Sequence, residues 1–138
     1  MPETSDPKTL AEAVDALADR FRSMPQSRLL GAVPGHSSRA AAGLELARWL
    51  AAAAQAAEAA RADGGPDGGA VGGAPRELPE AGAFAVGDQL AVVGHDLAAA
   101  LAALPGDAAV TLPDDGAVAA ETVRELAVRR LAEASAAL

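Results

Sequence analysis

The chain contains no cysteine. Disulfide bonds, thiolate metal sites and cysteine nucleophiles are therefore excluded. Tyrosine is also absent, and aromatic residues make up only 2% of the 138 residues, as Phe21, Trp49 and Phe84. Hydrophobic residues nevertheless account for 51% of the chain, and most of them are alanine. Because alanine favours helix but buries little surface, a stable core requires helices that approach one another closely.

Basic residues are scarce, with a single lysine, Lys8, and arginines scattered along the chain. The formal net charge is -8 and the sequence pI is about 4.6. A nucleic-acid-binding surface needs clustered lysine and arginine to neutralise phosphates, and single-strand binding also needs aromatic platforms. The composition therefore predicts no nucleic-acid partner, and the acidic surface mainly favours solubility.

Long uninterrupted apolar runs are also missing. The most apolar stretch, residues 44–60, contains Glu45, Arg48, Gln55 and Glu58, whereas a membrane-spanning helix needs about 20 predominantly apolar residues. The N-terminal sequence MPETSDPKTL has neither the basic region nor the apolar region of a secretory signal peptide. We therefore expect a cytoplasmic protein that does not enter a membrane.

The remaining pattern is helical. β-branched residues are few and do not alternate with polar residues over a useful length, which argues against strands. Apolar residues recur with helical spacing in segments at about 7–24, 37–62, 85–104 and from 114–116 to the C-terminus, with a short helical turn within 26–36. The predicted fold is all-α, an up-down four-helix bundle in which residues 1–138 form a single domain.

A glycine-rich segment separates the second predicted helix from the third. Residues 63–76 include the sequence DGGPDGGAVGGAP, which has few side chains to bury. This composition is typical of a flexible linker. A phosphate-binding loop is disfavoured because no Gly-Lys-Ser/Thr follows the glycines and no predicted strand precedes them.

The stretch GDQLAVVGHDLAAAL, residues 87–101, places one histidine and two aspartates in an aliphatic helix. In an α-helix, successive residues are rotated by about 100°, so the large apolar side chains of this stretch lie on one side of the helix. They are Val86, Leu90, Val93, Leu97, Leu101 and Leu104. His95 lies about 160° from the centre of that apolar side, and Asp88 lies on the same outer side, about 10 Å away along the axis. We predict that both residues face solvent or a partner and that they do not form a catalytic dyad.

Two stretches match the pattern of a known family. VPGHSSRAAAGL, residues 33–44, is similar to V-P-G-W-[ST]-x-R-[DE]-x-x-x-H, and QLAVVGHDLAAAL, residues 89–101, is similar to E-x-x-x-H-G-W-D-L-A-x-A-L. The helix order and the sequence LPDDGAV before the last helix agree with the same pattern. The chain thus resembles the mycothiol-dependent maleylpyruvate isomerase family, part of the DinB-like superfamily of four-helix bundles.

The resemblance implies a divalent metal held by a histidine of the second helix and by an acid and a histidine of the third, with activity in thiol transfer or isomerisation. Position by position, these ligands fall on Leu44, Gln89 and Val93. Only Gln89 carries a donor atom, and an amide is a weak zinc ligand. Gly43, which lies on the apolar stripe of the second helix, is the alternative to Leu44 and has no side-chain donor. We expect no family metal site and no cofactor.

Both tryptophans of the family pattern are replaced by histidine here, at His36 and His95. One interpretation is two independent substitutions at partly exposed positions. The other is a relocated metal or proton site between the two imidazoles, because histidine is the most frequent metal ligand and general base.

The sequence is compatible with three functions. The first is a metal-free, non-catalytic protein that acts by binding, as a homodimer or with a protein partner. The second is a metal- or mycothiol-dependent transferase or isomerase with a rebuilt site, for which the weak catalytic candidates are Asp88, His95, Asp96 and His36. The third is a small-molecule binder that uses space in the bundle core near Trp49.

Overall fold

The computed structural model describes residues 9–63, 82–113 and 115–138. Across these ranges the elements are α1 Leu10–Arg22, α2 Gln26–Leu29, α3 Arg39–Asp63, α4 Val86–Ala102, β1 Ala109–Leu112, β2 Gly116–Ala119 and α5 Ala120–Ala137, and a 3-10 turn, Ala83–Ala85, precedes α4. The prediction of a mainly helical protein is confirmed. Within the same ranges, no helix has both the length and the apolar character needed to span a bilayer. The predicted linker lies outside the described residues from position 64 onward.

The first long helix begins at a capping box. Thr9 Oγ1 accepts a hydrogen bond from the Glu12 backbone N–H at 3.1 Å, and the Glu12 carboxylate accepts one from the Thr9 backbone N–H at 3.0 Å. Both N–H groups would otherwise have no partner at the helix start. α3 begins in a related way, because Ser38 Oγ accepts a hydrogen bond from the Ala41 N–H at 3.0 Å. Thr9-x-x-Glu12 is the sequence signature of a capping box, and serine is a preferred residue at a helix start.

The core contains the apolar faces that helical spacing predicted. The buried residues of α1 include Leu10, Val14, Leu17 and Phe21, and those of α4 include Val86, Leu90, Val93, Leu97 and Leu101. α3 is buried over a wider arc than expected, since Leu44 and Ala47 are buried as well as the predicted stripe through Leu50. The reason is that α3 contacts α4, α5 and β1, so it has more than one inward face.

The four long helices enclose this core together. α1 and α3 each contact both α4 and α5. α1 and α4 pack closely where α4 carries glycine. A Cβ atom at Gly94 would lie 2.5 Å from Val14 Cγ2, and a Cβ atom at Gly87 would lie 2.9 Å from the Ala18 carbonyl oxygen. Gly87 and Gly94 are two helical turns apart and therefore share one side of the helix. Hydrogen atoms at these two positions set the distance between the helices.

Residues 109–112 and 116–119 pair as two antiparallel strands, a hairpin, which corrects the expectation that the chain has no strands. β1 and β2 pair in the register Ala109↔Ala119, Val110↔Val118, Thr111↔Ala117 and Leu112↔Gly116. Val110 and Leu112 are buried, whereas Thr111 is exposed. The sequence signal for this hairpin is Gly116 after Pro113 and Asp115, between two short runs of alanine and β-branched residues, because three-residue hairpin connections commonly end at a glycine with positive φ. Gly116 has φ +71°, a conformation that glycine adopts without steric cost.

The last helix begins later than predicted, at Ala120 instead of 114–116, because β2 uses the preceding residues. The Ala120 N–H donates to the Ala108 carbonyl at 2.8 Å, and the Glu121 N–H donates to the Gly106 carbonyl at 2.9 Å. The chain before the hairpin therefore satisfies the first amides of α5. The predicted inner side of α5 is buried at Ala120, Val123, Ala127 and Leu131.

Candidate functional site

His95 is exposed, as its helical position predicted, but its imidazole has a partner on α1. Nε2 lies 2.7 Å from Asp15 Oδ1, and the two side chains are 47% and 58% exposed. A carboxylate that holds an imidazole is one part of a general-base arrangement, which also needs a nucleophile and a substrate pocket. Neither residue lines any of the three cavities described below. The pair is therefore a surface contact between α1 and α4.

Asp88 contacts Arg22 and not His95. Arg22 Nε donates to Asp88 Oδ1 at 2.9 Å, and Arg22 Nη1 lies 3.1 Å from Asp19. The hydrogen bond that Arg22 donates to Asp88 is the main cause that raises the pKa of Arg22, with a smaller contribution from the one to Asp19. From the Arg22–Asp88 contact to the Asp15–His95 contact, the residue number falls by seven on α1 and rises by seven on α4. The two helices are therefore antiparallel. Asp88 and His95 therefore contact different residues of α1.

The other members of the rebuilt-site hypothesis lie apart from this pair. Asp96 is exposed. His36 follows a turn at Gly35, whose φ is +85°, and its Nδ1 lies 3.7 Å from Glu45 Oε2. The part of the chain that the structure describes has no group of three or more His, Asp or Glu side chains suited to a metal ion. The two histidines thus contact different carboxylates and do not build a joint site.

The positions that the family resemblance assigns to metal ligands do not fit a metal. Leu44 and Val93 are buried in the hydrocarbon core, at 8% and 6% exposure, and neither has a donor atom. At Gly43, the alternative to Leu44, an added Cβ atom would lie 2.6 Å from Val86 Cγ1, so a ligating side chain has no room. Gln89 alone cannot supply the three or four ligands that a zinc site uses.

The largest of the three cavities has a volume of about 530 Å³ and lies between α3 and α5. One wall consists of α3 residues spaced three or four apart, Glu45, Arg48, Trp49 and Ala52. The other wall consists of α5 residues with the same spacing, Arg130, Glu133, Ala134 and Ala137. Because that spacing places side chains on one face of a helix, two helix faces oppose each other across the cavity. We call this cavity the α3–α5 groove.

Trp49 and Arg130 form the main contact across the α3–α5 groove. The Arg130 guanidinium carbon lies 4.5 Å from the centroid of the Trp49 ring, within the distance of about 6 Å that defines a cation–π contact. Arg130 Nε is fully enclosed and has no hydrogen-bond partner among the residues that the structure describes. A buried N–H without an acceptor costs free energy, so it indicates a missing partner.

The charges around the groove have both signs. Arg48 and Glu133 are exposed, and Glu45 lies beside His36. Neither Arg48 nor Arg130 forms an ion pair with another described residue. The charged side chains of the groove are thus two arginines and two glutamates, with His36 beside Glu45, although the whole chain carries a formal charge of -8. The groove is less acidic than the rest of the surface, and its half-buried charge, Arg130, is positive.

The two smaller cavities have polar groups that are already engaged. One, of about 390 Å³, is lined by Thr9, which caps α1, and by Arg124, which lies 3.8 Å from Glu121. The other, of about 420 Å³, is lined mainly by alanine and leucine together with Arg20. Arg20 donates to both the carbonyl and the hydroxyl of Ser135. Neither cavity therefore offers an arginine that lacks an acceptor.

Sequence reasoning identified Trp49 as lying at the edge of the apolar stripe and missed Arg130. The two residues are 81 positions apart, and no local pattern reports a contact across that separation. The spacing of Arg130, Glu133, Ala134 and Ala137 was visible as a helix face, but it carried no sign that α3 lies opposite. No family model matches this chain, and no curated protein or solved structure matches it either.

Proposed function

We propose that this protein binds a small organic molecule in the α3–α5 groove and has no catalytic metal. The observation that carries the proposal is the Trp49–Arg130 contact inside a cavity of about 530 Å³. Small-molecule sites commonly have volumes of about 300–1,000 Å³, apolar walls and a few polar groups that orient the ligand. This proposal combines the metal-free binding protein and the small-molecule binder that the sequence suggested. The proposed site is a groove beside the bundle core instead of a space within the core.

We also propose an up-down four-helix bundle of the DinB-like type as the framework of this site. The contacts of α1 and α3 with both α4 and α5 support it, as does the antiparallel packing of α1 on α4. The resemblance of residues 33–44 and 89–101 to the maleylpyruvate isomerase pattern supports it as well. The hairpin of β1 and β2 is an addition to a simple bundle.

We expect the purified chain to contain no stoichiometric metal and to keep its melting temperature in EDTA. The reason is that Leu44 and Val93 occupy the ligand positions that the resemblance assigns, and neither has a donor atom. Elemental analysis of protein expressed without a histidine tag would test this. One zinc or nickel ion per chain, or a melting temperature that falls in EDTA, would contradict it.

The enzyme hypothesis has weaker support. His95 has a carboxylate partner, as a general base would, but both side chains are about half exposed and line no described cavity. The homodimer or protein partner that the sequence suggested stays a prediction, and sedimentation velocity of the purified chain would test it.

Binding in the groove is measurable with a neutral hydrophobic dye. Trp49 is the only tryptophan and tyrosine is absent, so emission excited at the indole reports on the groove wall. We expect N-phenyl-1-naphthylamine to bind with saturation at one site per chain and to accept excitation energy from Trp49. The neutral dye makes this test independent of the ligand's charge.

A matched pair of α3 variants locates the dye. Ala52 lines the groove, so Ala52→Phe fills it and should weaken dye binding at least about tenfold. Ala59 lies two turns further along α3, is exposed and lines none of the three cavities, so Ala59→Phe should bind like the wild type. Equal affinities in the two variants, or no saturable binding to the wild type, would remove the groove from the proposal.

A further inference from the structure

We infer that the α3–α5 groove selects small organic monocarboxylates, whose carboxylate binds Arg130 and whose apolar body lies along the walls. This inference rests on the proposed function and adds the chemical class of the ligand. It is carried by the state of Arg130, by the apolar lining and by the two glutamates at the groove.

The guanidinium of Arg130 is suited to bind a planar hydrogen-bond acceptor such as a carboxylate. Its guanidinium lies over the Trp49 ring, which restrains the position of the group, while its Nε–H has no acceptor among the described residues. Guanidinium N–H groups lie in one plane and match the two oxygens of a carboxylate. Since Nε is enclosed, the guanidinium must turn on the indole face when a carboxylate binds side-on. Binding should therefore change Trp49 fluorescence.

The rest of the lining suits an apolar body. Phe21, Leu46, Ala52 and Ala134 contribute to the groove. Alanine at positions 52 and 134 leaves space between α3 and α5 that larger side chains would fill. A short alkyl or aryl group attached to the carboxylate removes this apolar surface from water.

Glu45 and Glu133 restrict the charge of the ligand. Both are exposed and stand on opposite walls, one on α3 and one on α5. A second carboxylate on the ligand would approach one of them, and like charges at short range repel even near a protein surface. Arg48 offsets part of this repulsion. One negative charge is therefore preferred over two.

The test compares acids with amides of the same shape on the wild-type protein. Phenylacetate and phenylacetamide form one pair, hexanoate and hexanamide form another, and phenylmalonate is the dianion. Trp49 fluorescence gives the dissociation constants. We expect each acid to bind at least about tenfold more tightly than its amide, because hydrogen bonds to charged groups are stronger than neutral ones. Phenylmalonate should bind more weakly than phenylacetate.

Two adjacent arginines of α5 provide the test variant, at Arg130, and its control, at Arg129. Arg130→Gln should abolish the preference for acid over amide. Arg129 is exposed and lines none of the three cavities, so Arg129→Gln removes the same charge and should keep the preference. Far-UV circular dichroism verifies that both variants are folded, and the wild-type comparison decides the question without them.

The outcomes separate the two proposals. Equal affinities for acid and amide, or a preference for phenylmalonate, overturn the monocarboxylate inference and leave dye binding in the groove intact. Loss of the acid preference in both arginine variants also overturns it, because the effect then follows net charge and not Arg130. Absence of dye binding overturns the proposed function itself.

Discussion

Replacing Leu112 with alanine should destabilise the protein by about 2–5 kcal/mol. Leu112 lies in β1, a strand that contacts α3 and α5, and its side chain is 2% exposed. Truncation removes buried methyl groups and leaves a cavity that the helices can close only in part. Urea unfolding followed by far-UV circular dichroism measures the change in the free energy of unfolding.

Thr111 provides the control on the same strand. Its side chain is exposed, one position away from Leu112, so Thr111→Ala should change stability by no more than about 0.5 kcal/mol. The pair tests the hairpin register, because a shift by one residue would exchange the buried and exposed faces. Similar costs for the two variants would show that β1 is not packed as described.

Gly94→Ala should destabilise the protein by up to about 2 kcal/mol, although alanine is the better helix former. Alanine in place of glycine gains about 1 kcal/mol of helix propensity. The new Cβ atom, however, would lie 2.5 Å from Val14 Cγ2 and 2.6 Å from Val14 Cγ1, and overpacking of this kind costs about 1–3 kcal/mol. The steric term is therefore expected to exceed the propensity term.

A double-mutant cycle identifies the cause. In a Val14→Ala background both close γ-carbons are gone, and only the Cβ atom of residue 14, at 3.1 Å from the added Cβ atom, stays close. Gly94→Ala should then cost at least about 1 kcal/mol less than it does in the wild type. If Gly94→Ala destabilises both backgrounds equally, the contact with Val14 does not set the spacing of α1 and α4.

The helices were predictable because their causes are local. The spacing of Leu90, Leu97 and Leu101 defines the buried face of α4, and Thr9 with Glu12 defines the start of α1. Each pattern lies within a few helical turns and depends on side chains that repeat on one face. The hairpin was missed because its strands are only four residues long and one side of the pattern contains small residues. Burial of Val110 and Leu112 against the helices, not intrinsic preference, stabilises it.

The candidate site was predictable only in part. The outward direction of His95 followed from its helical phase, but its partner Asp15 is 80 residues away. The same holds for Trp49 and Arg130, which meet only because α3 and α5 are neighbours. Helical phase tells which side of a helix a residue occupies, whereas the neighbour on that side depends on how all the helices pack.

The sequence by itself determined the helical class, the buried face of α4 and the lack of donor atoms at positions 44 and 93. These follow from residue chemistry and short-range periodicity. Only the tertiary structure decided the hairpin, the two side-chain contacts between α1 and α4, and the α3–α5 groove. Each of these depends on contacts between residues distant in the chain or on burial by other elements, and packing in three dimensions, not local preference, brings such residues together.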